Sequence, residues 1–270
     1  MSVSNLPVTS REYKVMLNVD RFKDRNDGAE MFLRLIEFLI RKEGGNITEK
    51  QVKEDKRQTS YIDTTELAFH QHGFSLRLRE EAKTPPEFQI NLKYRASDRY
   101  ISAAQDVSST QATTTKFEED ILPPFVSKFS HSSSIKTSVL PDLSRVTKVA
   151  SVFPALKELS TEGDTPVKTI NDFKATEVVR KLCKFQFGNP LTIKACLSFW
   201  YLTKEENGWP LVAEFSFDYD VDQEVEAGHL EKYPSQVVSG ANRFFSALQT
   251  QTGWLNLNTA TKTAFAIEVL

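Results

Sequence analysis

Several residue types and patterns that mark common protein classes are scarce in this chain. It has only two cysteines in 270 residues, Cys183 and Cys196. They form no disulfide framework and lack metal-ligand spacing. Both read as buried thiols of a cytoplasmic protein, with a single bridge between them as the less favoured alternative. Only 10 glycines are present, which excludes collagen-like and glycine-linker chains. No apolar run approaches the roughly 20 residues of a membrane span; the longest apolar-rich stretch, 31–40, is broken by Arg34 and Glu37. Residues 1–9 lack the charged region and apolar core of a secretory signal. An excess of one charge is missing too: 34 Lys and Arg stand against 36 Asp and Glu, a net charge of −2. Domains held on nucleic acid by bulk charge are usually basic, so neither a nucleic-acid nor a membrane partner is expected.

What is present is alternation. Residues 11–22, 57–64, 74–81, 88–95 and 116–121 read as strands, and 191–202 with 211–221 as a hairpin. Helices are expected over 29–42, capped by Asn26 or Asp27, over 146–159 with Pro154 as a kink or boundary, over 235–249, and in the tail over 261–269. Residues 100–116 read mostly as loop with a fraying strand end. Residues 127–145 read as a polar loop or insertion, and 178–187 are ambiguous. Turns rather than regular crossover helices separate the strands, so the sheet should be mostly antiparallel. No strong boundary divides the chain, and 1–270 is taken as one domain.

The charges sit inside the strands. Successive strand residues point to opposite faces, so Glu12 and Lys14 share a face against Tyr13 and Val15. Arg77 and Arg79 share a face, as do Lys93 and Arg95, then Lys116, Glu118 and Asp120, then Glu214, Ser216 and Asp218. A sheet with one dry and one wet face is one explanation. Against it, four cations fall together on two adjacent strands, an arrangement that is destabilising unless an anion offsets it. Carboxylates that hold Mg²⁺ or Mn²⁺, beside Arg and Lys that hold phosphate oxygens, suit a metal-bound polyphosphate. There is no G-x-x-x-x-G-K-[ST] phosphate loop, so side chains must do this work. His70 and His72 read as a surface pair, and the 19 Phe as packing between sheet and helices.

Five segments in order carry a family resemblance: Ser10-Arg11-Glu12-Tyr13-Lys14, Tyr61-Ile62-Asp63-Thr64, Gly73 to Arg79 (GFSLRLR), Leu92-Lys93-Tyr94-Arg95, and Lys116-Phe117-Glu118-Glu119-Asp120. They resemble the ExExK, YxDT, GxxLRxR, KxR and acidic strands of the CYTH superfamily, the triphosphate tunnel metalloenzymes. Lys194 falls where that family places a basic strand residue, Glu214-Phe215-Ser216 resembles a late acidic strand or the strand before it, and Lys262 matches a lysine near the end of many members.

The resemblance implies an α+β fold, a closed or nearly closed antiparallel β-barrel (a tunnel) with charges inside and helices packed outside. It implies metal-dependent hydrolysis of an inorganic or organic triphosphate. Glu12, Lys14 and Glu118 would be catalytic. Lys14, Arg77, Arg79, Lys93, Arg95, Lys116 and Lys194 would bind phosphate, and Glu12, Glu118, Asp120 and Glu214 would bind Mg²⁺ or Mn²⁺. Ser10 replaces the first Glu of ExExK, and Ser216 replaces the second Glu of the late motif in one register. The phosphate-binding cations are therefore kept better than the metal ligands. A non-catalytic module that binds polyphosphate or another phosphorylated ligand is the alternative, and an adenylyl cyclase a second alternative.

Overall fold

The structure of the chain, a computed structural model, describes residues 6–51, 53–159, 164–189, 191–202, 209–220, 233–256 and 261–269. The first strand, β1 (Ser10–Leu17), ends in a short turn, Val19–Phe22, so the expected strand over 11–22 is split. Helix α1 (Arg25–Lys42) follows. Its cap is Asp24, not Asn26 or Asp27: the Asp24 carboxylate accepts the amides of both at 2.9 and 3.0 Å, an N-cap that satisfies otherwise orphaned N–H groups. Next come β2 (Asn46–Lys50), β3 (Glu54–Thr64), a helical turn α2 (Ala68–Gln71), β4 (Phe74–Glu81) and β5 (Glu87–Ala96). Helix α3 (Arg99–Ala104) occupies part of the expected loop and precedes β6 (Thr114–Leu122).

The expected polar insertion at 127–145 is corrected over its first part, because β7 spans Val126–Thr137. Its serines explain why it looks like a loop. Ser130, Ser132 and Ser134 pair with Arg95, Lys93 and Asn91 of β5 and leave room for those longer side chains. Ser133, on the other face, donates to the Val107 carbonyl at 2.6 Å. Helix α4 (Val146–Val152) stops before Pro154, which opens a tighter turn, Pro154–Leu159. The ambiguous residues 178–187 belong to β8 (Val167–Gln186), followed by β9 (Ile193–Tyr201), β10 (Val212–Asp220), α5 (Ser235–Gln249) and a short C-terminal helix α6 (Lys262–Ala264) that continues as a wider turn through Val269.

Nine strands close into a barrel in the order β8-β3-β4-β5-β7-β6-β1-β10-β9, with β9 returning to β8, and β2 adds to the free side of β8. The pairing is mostly antiparallel, as expected, with one parallel seam between β1 and β6. The first strand of the barrel is inserted between β6 and β10, and the long connection between β1 and β6 permits the parallel pairing.

The apolar faces of most barrel strands point outward, to the helices. On one side Tyr13, Val15, Phe199, Phe215 and Phe217 pack beneath α1 and α5, against Phe32, Ile36, Phe244 and Phe245. Tyr13 and Phe217 stack with centroids 4.6 Å apart; such ring pairs are worth about 0.5–1.5 kcal/mol beyond their burial. On the other side Ile62, Leu76, Ile90, Leu92 and Ile135 pack against α2, α4 and the turn after it, through Phe69, Val149, Phe153 and Leu156. A third cluster lies among inward positions at one end, where Met16, Tyr61 and Trp200 meet Ala266 and Ile267 of the C-terminal segment. None of the described helices is long and apolar enough to cross a membrane.

Candidate functional site

Turning the apolar faces outward sends the charges in. A cavity of about 270 Å³ runs inside the barrel, lined by Lys14, Arg57, Arg77, Arg79, Lys93, Arg95 and Lys262 together with Glu12, Glu118 and Glu214. Tyr61, Asn91, Cys196, Ser198 and Ser216 complete much of the wall. The wet-face alternative is thereby excluded for these strands. Isolated buried charges are costly, and the tunnel meets that cost with two carboxylate-centred clusters.

The first cluster surrounds Asp120, which has no exposed surface. It accepts Lys14 at 2.7 Å, Arg95 at 2.5 Å and the Ser130 hydroxyl at 3.0 Å. Lys14 also reaches Glu12 at 2.8 Å, and Lys93 reaches Glu118 at 3.1 Å. Burial alone would raise the Asp120 pKa, but Lys14, Arg95 and Lys93 hold it well below the usual carboxylate range. Burial works against the Lys14 ammonium, and Asp120 and Glu12 overcome it, so its pKa lies above that of an ordinary lysine.

The second cluster surrounds Glu177, likewise fully buried. One carboxylate oxygen accepts Arg57 Nε at 2.6 Å, Arg79 at 3.1 Å and the Thr59 hydroxyl at 3.1 Å. The other accepts Lys262 at 3.0 Å and the Ser198 hydroxyl at 2.9 Å. Lys262 also pairs with Glu214 at 3.0 Å. Glu177 is kept ionised against burial by Arg79, Lys262 and Arg57. One carboxylate shared by three cations satisfies itself but not all of them: burial and the neighbouring Arg77 pull the Arg79 guanidinium down to about 9.

Arg77 lies beside this cluster with no ion pair among the described residues, and its buried Nε has no hydrogen-bond partner; Arg79 Nε is in the same condition. The Tyr61 phenol is also nearby. Burial opposes its ionisation, but Arg77, the Thr263 hydroxyl at 3.0 Å and Arg79 outweigh burial and lower its pKa. Seven cations line the cavity (Lys14, Arg57, Arg77, Arg79, Lys93, Arg95 and Lys262), and six of them have a carboxylate partner among Glu12, Glu81, Glu118, Asp120, Glu177 and Glu214. Arg77 is the lining cation without one among the described residues.

Of the residues singled out in the sequence, Glu12, Lys14, Arg77, Arg79, Lys93, Arg95, Glu118 and Glu214 meet in this one cavity. Asp120 joins their ion-pair network from within the wall. Lys116 and Lys194 are not brought to the cavity: their side chains are 59% and 55% exposed, and Lys194 pairs with Asp220 at 2.9 Å. Two contributors, Arg57 and Glu177, went unnoticed in the sequence, and Lys262 was noted there only as matching a family lysine, without a role. Arg57 shares its strand face with Tyr61, a signal that was available. Glu177 lies in the long β8, where a bulge between Lys181 and Cys183 breaks the strict alternation. Lys262 reaches the cavity from outside the strand pattern altogether.

The motif Tyr61-Ile62-Asp63-Thr64 divides between site and scaffold. Tyr61 lines the tunnel, whereas Asp63 accepts the amides of Thr64, Phe69 and His70 at 2.7, 2.9 and 2.9 Å and fixes the turn into β4. Gly73 follows with φ +82°, where an added Cβ would lie 2.8 Å from the Tyr94 ring. Ser10 and, in one register, Ser216 stand where the resemblance implies glutamates, and both are engaged: Ser10 bonds Asp220, and Ser216 Oγ lies 3.3 Å from the Cys196 thiol.

A divalent ion is the cofactor that the resemblance implies, and the donors do not fit one as arranged. Glu12 is engaged by Lys14, Glu118 by Lys93, Asp120 by Lys14 and Arg95, and Glu214 by Lys262. No three carboxylate, imidazole or thiol groups converge on one point among the described residues.

No family model and no curated protein matches the chain. Solved structures similar to it include a candidate adenylyl cyclase from Hippeastrum described as having a dominant triphosphatase activity. It shares 11% identity over 96% of this chain and 95% of its own, with a TM-score of 0.47. A candidate adenylate cyclase from Bacillus halodurans shares 13% identity over 96% and 97%, with a TM-score of 0.40. One from Vibrio parahaemolyticus shares 11% over 93% and 91%, with a TM-score of 0.33. These TM-scores are below 0.5, so the functional reading rests on the barrel's own residues.

Proposed function

We propose that the tunnel binds the triphosphate group of a small molecule, either inorganic tripolyphosphate or an organic triphosphate. The observation that carries this is Arg77, without an ion pair among the described residues, beside an under-neutralised Arg79, inside a cavity whose other cations converge from four further elements. Guanidinium groups bind phosphate oxygens in a bidentate, charge-assisted manner, and a polyanion supplies the counter-charge that Arg77 lacks among the described residues. Metal-dependent hydrolysis is the second reading. It is favoured by Glu12, Glu118 and Glu214 opening on the same cavity as the cations. No observation in the tunnel favours cyclisation.

Calorimetric titration of the protein with tripolyphosphate and with ATP tests binding. Stoichiometric binding that is lost on replacing Lys93 and Arg95 by methionine is expected, and no detectable binding of either anion would refute the proposal. Release of inorganic phosphate with Mg²⁺ or Mn²⁺ in the same samples tests hydrolysis separately.

A further inference from the structure

We infer that this tunnel takes its polyphosphate as the metal-free anion, with Asp120 and Glu177 fixing the cations that elsewhere would share the task with a divalent ion. The inference rests on the binding function proposed above and concerns the form in which the ligand enters.

In most phosphoryl-transfer sites a divalent ion bridges phosphate oxygens and neutralises their charge. Such an ion is held by carboxylates with free lone pairs. Here the carboxylates are already spent on the protein's own cations. Asp120 accepts Lys14, Arg95 and Ser130, and Glu177 accepts Arg57, Arg79, Lys262, Thr59 and Ser198. Moving Asp120 onto a metal would take the carboxylate from Arg95, and moving Glu177 would take it from Arg79, and a buried charge that loses its partner is strongly unfavourable. Ser10, and in one register Ser216, stand where the family pattern adds carboxylates, and each is tied to a neighbour within the barrel.

The balance of charge points the same way. Six of the seven lining cations already have carboxylate partners, and Arg77, which has no ion pair among the described residues, can take an anion without displacing one. A metal complex of the ligand carries less negative charge than the free anion. It would also bring a cation toward Arg77 and Arg79, whose mutual repulsion already lowers the Arg79 pKa.

The test compares tripolyphosphate affinity in EDTA with affinity in saturating Mg²⁺, using the full chain and calorimetry. Equal affinity, or affinity about 10-fold weaker with Mg²⁺, is expected. Binding that appears only with Mg²⁺, or strengthens more than threefold with it, would overturn the inference and leave the binding function standing. Absence of binding under both conditions would remove the binding function itself. Mn²⁺ added alone, followed by its electron paramagnetic resonance signal, is expected to remain free; a stoichiometric bound fraction lost in Glu12→Gln would also overturn the inference.

Discussion

Replacing Arg77 by methionine separates binding from stability at a single residue. Its guanidinium has no ion pair among the described residues and adds to the burden on Arg79, so its removal should leave the melting temperature unchanged or raised. Tripolyphosphate affinity should fall about 10- to 100-fold, the loss expected for one or two hydrogen bonds to a charged group, as calorimetry would show. Glu177→Gln should behave in the opposite way toward stability. It leaves three cations around a neutral amide, and breaking a buried ion pair from one side costs about 3–5 kcal/mol. Urea unfolding would measure it, and a cost below about 1 kcal/mol would argue against Glu177 as the centre of the cluster. At this scale the cations at positions 77, 79, 93 and 95 were legible in the sequence, because short strands alternate strictly and like charges two residues apart must share a face. What each carboxylate does was not legible. Asp120 and Glu214 looked like metal ligands, and only the structure reveals their ion pairs with Lys14, Arg95 and Lys262.

Elements were legible where polarity alternates and obscure where it does not. Strands β4 and β5 were visible because Leu76, Leu78, Ile90 and Leu92 alternate with charged or polar residues. Strand β7 was not, since its inward face is serine and much of its outward face is polar as well. Strand β8 was obscured by its bulge. Helix α5 was read correctly from its apolar spacing, and its role is to seal β8, β9 and β10. Phe244 touches the rings of Phe185, Phe215 and Phe217, with centroids 5.6, 6.4 and 5.0 Å away. Phe244→Ala should therefore cost about 3–5 kcal/mol, measured by chemical denaturation. It should leave the affinity of the folded fraction for tripolyphosphate intact, because the ring lies on the far side of the wall from the cavity.

At the scale of the whole molecule, Asp218 contributes to the pH dependence of stability near neutral pH. Burial, with Glu12 and Asp220 nearby, pushes the Asp218 carboxyl up to about 7, against about 3.9 in the unfolded chain. Between these values the folded state holds a proton that the unfolded state does not. Stability from this group therefore falls as pH rises from about 4 to about 7, by up to about 1.4 kcal/mol per pH unit. Thermal melts of the protein and of Asp218→Asn across pH 4–8 should diverge in that window and run parallel above it. The closed tunnel was anticipated from the inward charges and the order of the motifs. The parallel β1–β6 seam was not, because local alternation carries no information about which distant strand lies alongside.

That seam bears on how the chain comes to be folded as it is made. Strand β1 leaves the ribosome roughly 200 residues before its partner, since Ser10 pairs with Asp220 of β10. Until β10 has been synthesised, Tyr13, Val15 and Leu17 have neither their final neighbour strand nor α5 to cover them. Pairings so distant in sequence are slow to form, and unpaired strand edges invite aggregation meanwhile. Nascent chains stalled before residue 212 should therefore bind chaperones through the β1 segment, and release from them should coincide with translation of β10 and α5.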